Sequence, residues 1–167
     1  LLPGDLQNLI KPVVKGYRYY SEDSWTGVWS SRSSSSQCKL WAFSGLEIMG
    51  TYYYNEAHTR RCDSEGGTQY AYFAEAEIPE GMTPLTEGAT TGTYIDANGV
   101  YYNTRAIKQM GNTSIQNAAY KTRSLTQRND GANAYAPSVS AWYITTAGGA
   151  YYNAGSSGSG VCFGFCI

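Results

Sequence analysis

His58 is the single histidine among 167 residues, and that one count removes most metal and nucleophile chemistry. Zinc-protease motifs and multi-histidine metal sites need further imidazoles, and Ser-His-Asp or Cys-His catalysis would have to run through His58 itself. Its neighbours Arg60 and Arg61 mark it as a surface residue. Cys38, Cys62, Cys162 and Cys166 follow no zinc-finger or redox-dithiol spacing. On an extended strand Cys162 and Cys166 stand about 13 Å apart, beyond the roughly 7 Å reach of a disulfide. Cys38 and Cys62 can be bridged only if their strands are neighbours, and small buried thiols are the favoured state. Asp63, Glu65, Glu75 and Glu77 supply carboxylates without the spacing logic of an acid-base pair. Asp96 with Asn98, and Asn129 with Asp130, offer oxygens to calcium, but neither makes an EF-hand loop and such residues are first of all turn formers. No Walker-type or dinucleotide loop is present. The chain therefore reads as a non-enzyme, with no catalytic residue, no cofactor and no metal site.

The chemistry that remains is recognition. From Gly131 to Ile167 no side chain carries a charge, and the run is written mostly in Gly, Ala, Ser, Tyr, Asn and Thr. Its aromatic residues, Tyr135, Trp142, Tyr143, Tyr151, Tyr152, Phe163 and Phe165, are those a disordered tail lacks, so the segment is expected to fold. Tyr, Ser, Gly and Asn dominate evolved binding loops, because Tyr offers large amphipathic contact area at low rotamer cost while the small polar residues adapt their hydrogen bonds. Asn133, Tyr135, Tyr143, Tyr151, Tyr152 and Asn153 are the candidate ligand-binding residues. An edge hairpin with a polar outer face is the alternative reading of the same residues.

Length and charge limit the rest. One domain spanning residues 1–167 is expected, since the chain is long enough for one core and too short for two comfortable ones. A net charge of −1 with 15% charged residues leaves no basic stripe for a phosphate backbone, so nucleic acid is not an expected partner. No run approaches the roughly 20 apolar residues of a membrane helix, and the N-terminus lacks signal-peptide blocks, so a soluble domain with no membrane partner is expected. The start at Leu1-Leu2-Pro3 without Met suggests a processed or trimmed piece of a longer protein.

Patterning then places the elements. Leu6, Leu9, Ile10, Val13 and Val14 follow one helical face with Asp5 as cap, which predicts a short helix ending by Lys15 at Pro12. Tyr17 to Gln37, with Ser33-Ser34-Ser35-Ser36, reads as a loop or hairpin tip anchored by Trp25 and Trp29. Strand signals follow in Leu40 to Phe43, Leu46 to Gly50, Tyr52 to Tyr54 and Gln69 to Ala74. Pro79, Gly81, Pro84 and Gly88 mark a long irregular connection. Asn98-Gly99 between Tyr94-Ile95 and Tyr101-Tyr102 predicts a hairpin with a two-residue turn. Ser140 to Thr145 alternates, with Trp142 and Ile144 on one face, and Gly148-Gly149 turns the chain into Ala150 to Asn153. In the last strand Val161, Phe163, Phe165 and Ile167 share a face expected to be core, while Cys162, Gly164 and Cys166 share the other. Asn112-Thr113-Ser114 matches the glycosylation pattern, which matters only in a glycosylating host.

Several stretches together resemble a known family. They are Asp5 to Lys15, Lys39 to Gly50, Glu65 to Phe73, Thr122-Arg123-Ser124, Ala141 to Ile144 and Gly160 to Ile167. In this order they resemble an uncharacterised C-type-lectin-like domain family, common at the C-termini of prophage and phage proteins, and of some surface proteins, in gut Firmicutes. The resemblance covers nearly the whole chain except Pro79 to Asn117. It implies an α+β, C-type-lectin-like fold: small antiparallel sheets, one or two helices, long ligand-bearing loops and chain ends brought close. The Glu-Pro-Asn and Trp-Asn-Asp signatures of calcium-dependent sugar binding are missing, so that activity is not implied. The fold also hosts the variable proteins of diversity-generating retroelements. Adenine mutagenesis of AAC codons cannot produce Trp, Lys, Gln, Glu or Met, and from Gly131 to Gly160 Trp142 alone falls in that excluded set.

The implied function is a recognition domain of a phage or prophage virion protein, such as a tail fibre, tail tip or capsid decoration, at the virion or extracellular surface. Expected partners are a host-cell surface protein or glycan, other virion subunits, or a second copy of the chain. The rivals are a structural virion module packing against neighbouring subunits, and an oxidoreductase like the formylglycine-generating enzymes, which share the fold and use a cysteine pair.

Overall fold

A computed structural model describes residues 2–22, 29–50, 68–85, 92–110, 116–127, 139–154 and 160–167. It shows a mixed protein of a few short helices and several small antiparallel sheets. The expectations on His58, Cys62, Trp25, Tyr52 to Tyr54, Asp63, Glu65, Gly88, Asn112 to Ser114, Asn129, Asp130, Asn133 and Tyr135 lie outside the described residues.

The opening helix is shorter than its apolar spacing predicts. α1 spans Gly4–Leu9, with Pro3 rather than Asp5 at the N-cap position and Asp5 inside the first turn. Pro12 disfavours helical backbone at Lys11, and Val13 and Val14 instead open a strand, β1, over Val13–Glu22. β1 pairs along its length with β2, Trp29–Cys38. The serine run is therefore strand rather than tip: Ser33 to Ser36 lie opposite Arg18, Tyr17, Gly16 and Lys15. The β-forming Val and Tyr residues of β1 supply the propensity, and short hydroxyl side chains suit the ribbon's exposed surface.

Two further segments expected as strands are helical. After β3, Trp41–Ala42, the chain forms α2, Gly45–Met49. Ser44 and Glu47 close a capping box: Ser44 Oγ accepts from the Glu47 N–H at 3.1 Å, and the Ser44 N–H donates to Glu47 Oε2 at 3.0 Å. Gly50, at φ 77°, ends the helix in left-handed geometry. α3, Ala71–Ala74, turns Phe73 inward and leaves Tyr72 exposed.

β4, Thr83–Pro84, β5, Tyr94–Ile95, and β6, Tyr101–Tyr102, form a three-stranded sheet. The β5–β6 hairpin stands where Asn98-Gly99 predicts it, with a longer loop. Asp96 pairs with Val100, and the Gly99 N–H closes on the Asp96 carbonyl at 3.0 Å, so Ala97, Asn98 and Gly99 make the connection. Asp96 Oδ1 accepts from the Asn98 and Val100 N–H groups at 2.9 and 2.8 Å, the turn role expected for it. A 3-10 turn, Thr104–Ala106, and a small hairpin of β7, Lys108–Met110, and β8, Gln116–Ala118, follow.

The largest sheet has the order β11-β10-β9-β12, built from β9, Tyr120–Gln127, β10, Val139–Ile144, β11, Ala150–Ala154, and β12, Gly160–Val161. β12 runs parallel to β9 and the other pairs are antiparallel. Its inner face brings Tyr120, Ile144 and Ala150 onto Ile48, Met49, Phe73 and Ala106 as the core, with Phe43, Tyr70 and Cys162 packed against them. Tyr120 keeps its hydroxyl satisfied on the Ala106 carbonyl at 3.0 Å. Ile144 on the inner face agrees with the alternation read from the sequence.

The last strand is inverted relative to expectation. β13, Phe163–Gly164, pairs with β3, setting Gly164 opposite Trp41. A Cβ at Gly164 would stand 3.0 Å from both Phe43 and Trp41, so the inward side has room only for small groups. Gly164 and Cys162 face inward, and Phe163 and Ile167 are left 59% and 68% exposed. Phe163→Ala is therefore expected to cost under about 1 kcal/mol in dilute solution, rather than the roughly 3–5 kcal/mol of a core phenylalanine. Thermal unfolding of the variant checks this, and a drop on the core scale would put Phe163 back inside.

Cys38, Cys162 and Cys166 are free thiols among the described residues. Cys38 Sγ donates to the Val13 carbonyl at 3.7 Å.

Candidate functional site

β-strand alternation does the positioning. With Tyr120, Thr122, Ser124, Ile144 and Ala150 buried beneath the large sheet, the intervening Lys121, Tyr143 and Tyr151 rise on its outer face. Register aligns them: Tyr143 lies opposite Tyr151 on β11 and opposite Lys121 on β9, which in turn pairs with Val161 of β12. The Tyr143 and Tyr151 rings meet at 6.3 Å between centroids with a 36° tilt.

A second hairpin extends this shelf. Tyr102 bridges to Gly149, at the turn between β10 and β11. A Cβ on Gly149 would fall 2.6 Å from the Tyr102 ring, so the missing side chain is what lets the β5–β6 hairpin dock there. Gly148, at φ 82°, holds the turn, and its carbonyl accepts from the Asn103 N–H at 3.2 Å. Tyr94 stacks on Tyr102 at 5.5 Å with 15° between planes. Burial, the Tyr151 hydroxyl and the nearby Asp96 carboxylate push the Tyr102 phenol up to about 12. Burial and Asp96 push Tyr94 upward as well. Both phenols stay neutral at physiological pH. The arrangement offers ring faces and hydroxyls to a ligand and supplies no proton-transfer group poised near neutrality.

Of the sequence-derived candidates, the structure brings Tyr143 and Tyr151 together. Tyr152 and Asn153 take the register positions opposite Trp142 and Ala141, and Asn133 and Tyr135 lie outside the described residues. Tyr94 and Tyr102 join the shelf although the sequence reading passed over them. Their Asn-Gly hairpin was visible in the sequence, but nothing local says that it docks on Gly149, 47 positions after Tyr102.

A second polar centre lies under the sheet. Glu47 is 1% exposed, and its two oxygens face two cations: Lys15 Nζ donates to Oε1 at 2.7 Å and Arg123 Nη1 donates to Oε2. Lys15 also bonds the Tyr70 hydroxyl, which itself donates to Glu47 Oε1 at 3.1 Å. The Lys15 ammonium stands 4.4 Å from the centroid of the Trp41 ring. Arg123 further donates to the carbonyls of Gly16 at 2.9 Å and Ala42 at 2.8 Å. Burial alone would raise the Glu47 carboxyl, but hydrogen bonds from Arg123, Lys15 and the Ser44 backbone outweigh it and hold the group below its ordinary value. Burial would likewise lower Lys15, and its bonds to Glu47 and Tyr70 reverse that into a rise. With every acceptor position of Glu47 engaged by the protein's own groups, this centre ties β1, β3, α2, α3 and β9 together rather than receiving a ligand.

Among the described residues no three His, Cys, Asp or Glu side chains lie close enough to hold a metal ion. Among them no helix is long and apolar enough to cross a membrane. Burial pushes the Cys162 thiol up, with Lys108 partly offsetting it, the opposite of an activated nucleophile. Compared with known proteins, the chain matches no family model, no curated protein and no solved structure.

Proposed function

We propose that the chain is a C-type-lectin-like recognition domain of a phage or prophage virion protein, binding a ligand on a host-cell or mucosal surface without catalysis. The observation that carries the reading is the tyrosine shelf: Tyr94, Tyr102, Tyr143 and Tyr151 meet across two hairpins, beside the outer face of the sheet to which the uncharged C-terminal segment contributes β10, β11 and β12. Rigid strands present rings of low rotamer cost there, as a binding surface requires. The raised Cys162 thiol supports recognition over a thiol oxidoreductase.

Labelled domain on intact bacteria of candidate hosts tests the reading. Interface aromatics often cost about 2 kcal/mol or more on truncation, whereas exposed positions move stability by about 0.5 kcal/mol or less. Tyr143→Ala combined with Tyr151→Ala is expected to leave the fold largely intact and weaken attachment more than about 30-fold. Full attachment by a folded double variant would remove the shelf from the binding face.

A structural virion module is the second reading, favoured by the exposed apolar side of the last strand. For that reading the tyrosine double variant would assemble with neighbouring subunits as the parent does, and replacing Phe163 and Phe165 by serine would abolish that assembly.

A further inference from the structure

Val161, Phe163, Phe165 and Ile167 are all exposed, and none of them belongs to the tyrosine shelf except through Val161 at its end. Leu40 is exposed beside them. Gly164 pairs with Trp41, and Phe165 and Leu40, the residues directly beyond that pair, are both exposed. On its other edge the strand is held by the Lys11 N–H, which donates to the Cys166 carbonyl at 2.8 Å. The apolar ridge is thus fixed on both flanks.

Leu40 also belongs to a groove of about 510 Å³, lined by Leu2, Gln7, Ile10, Lys39 and Leu40. Ile10 is buried and supplies its apolar floor. The amide of Gln7 is engaged with the Leu2 carbonyl at 2.6 Å, so Lys39 is the main polar group at the groove's edge. One face therefore carries a ridge of large apolar side chains and, sharing Leu40, a groove of the size that takes a few such side chains.

We propose that this face joins two copies of the chain about a two-fold axis, the Phe163, Phe165 and Ile167 ridge of each copy seated in the Leu2, Ile10 and Leu40 groove of the other. A foreign partner would need only a ridge or only a groove. A two-fold contact in which a ridge enters a groove needs both on one surface, because residue i meets j and j meets i. The exposed parts of Leu40, Val161, Phe163, Phe165 and Ile167 amount to an area on the order of 500 Å², the apolar centre of an interface that typically covers about 800 Å² per partner. Lys11, Lys39 and Gln7 give that centre a polar rim. The inference stands independently of the recognition reading, since it uses none of the shelf's tyrosines.

Sedimentation of the full chain between about 1 and 100 μM tests it, with dimer expected to replace monomer as concentration rises. Phe163→Ser with Phe165→Ser removes the ridge, and Leu40→Lys fills and charges the groove. Each is expected to raise the dissociation constant more than tenfold while leaving dilute-solution melting nearly unchanged. Two variants at separate places guard against one of them failing to fold. A chain that stays monomeric throughout overturns the proposal, including one that partitions onto lipid vesicles, and so does a dimer indifferent to both folded variants.

Discussion

Glu47→Gln is expected to lose about 3–5 kcal/mol, a fall of roughly 6–20 °C in melting temperature for a chain of this length. The amide keeps the shape of the carboxylate but removes its charge and turns one acceptor into a donor. Either Lys15 or Arg123 then faces an N–H₂ group across a site whose own side-chain exposures are 17% for Lys15 and 12% for Arg123. The control is Glu75→Gln. Glu75 pairs with Arg105 at 3.1 Å in the open, and screening limits that pair to less than about 1 kcal/mol.

The same difference carries a pH signature. Glu47 titrates below its ordinary value in the folded chain, so its contribution is complete above the unfolded carboxyl value of about 4.3 and disappears as pH falls through the folded one. The gap between the parent and Glu47→Gln should therefore be full at neutral pH and close in acid. Lys15 works in the opposite window: its raised value makes its contribution complete below about 10.4 and lost as pH rises through the folded value. Chemical denaturation across pH reads both limbs, and a gap that persists undiminished in strong acid would mean that Glu47 is not the charged hub.

Gly92→Ala is expected to cost about 3 kcal/mol or more, from one methyl group. Gly92 has φ 67°, and a Cβ there would lie 2.5 Å from the Phe73 carbonyl oxygen, 2.7 Å from that of Ala74 and 2.9 Å from the Ala76 nitrogen. All three are backbone atoms, so no side chain can swing aside. The displaced segment also carries a buried polar network, in which Asn103 Nδ2 donates to the Phe73 and Gly92 carbonyls at 2.9 and 3.1 Å. Thr93 Oγ1 continues it to the Met49 carbonyl at 2.9 Å. Gly81→Ala is the comparison. It too has positive φ, yet nothing stands within 4 Å of its Cβ, so it should pay the conformational cost of roughly 1 kcal/mol alone. Equal losses at the two positions would show that backbone conformation, not crowding, is what Gly92 supplies.

Sequence patterning located the hairpins better than the helices or the inward faces. Asn98-Gly99 and Gly148-Gly149 each announce a chain reversal, because left-handed backbone is a local demand that a local residue must meet. α2 was legible too, in Ser44-Gly45-Leu46-Glu47, whose Ser and Glu are three residues apart as a capping box needs, but the flanking apolar runs read as strand. α3 had no such signal, since its single turn is set by the inward packing of Phe73. The last strand shows a different limit. Alternation separates Phe163 and Phe165 from Gly164 correctly, yet which set is buried depends on Trp41 and Phe43, more than 100 positions away. Of the candidate site, Tyr143 and Tyr151 could be read from composition and strand register, whereas Tyr94 and Tyr102 reach it only by docking through Gly149.

Lys11 takes its backbone partner at Cys166, near the opposite end of the chain. During synthesis at about 5–20 residues per second, that edge of the protein waits on the order of 10 to 30 seconds for the strand that completes it. Until then Trp41 and Phe43 have no C-terminal strand against them. The nascent chain thus carries an open apolar seam until residues 160–167 emerge, and the part around Trp41 and Phe43 is what a ribosome-associated chaperone would be expected to hold.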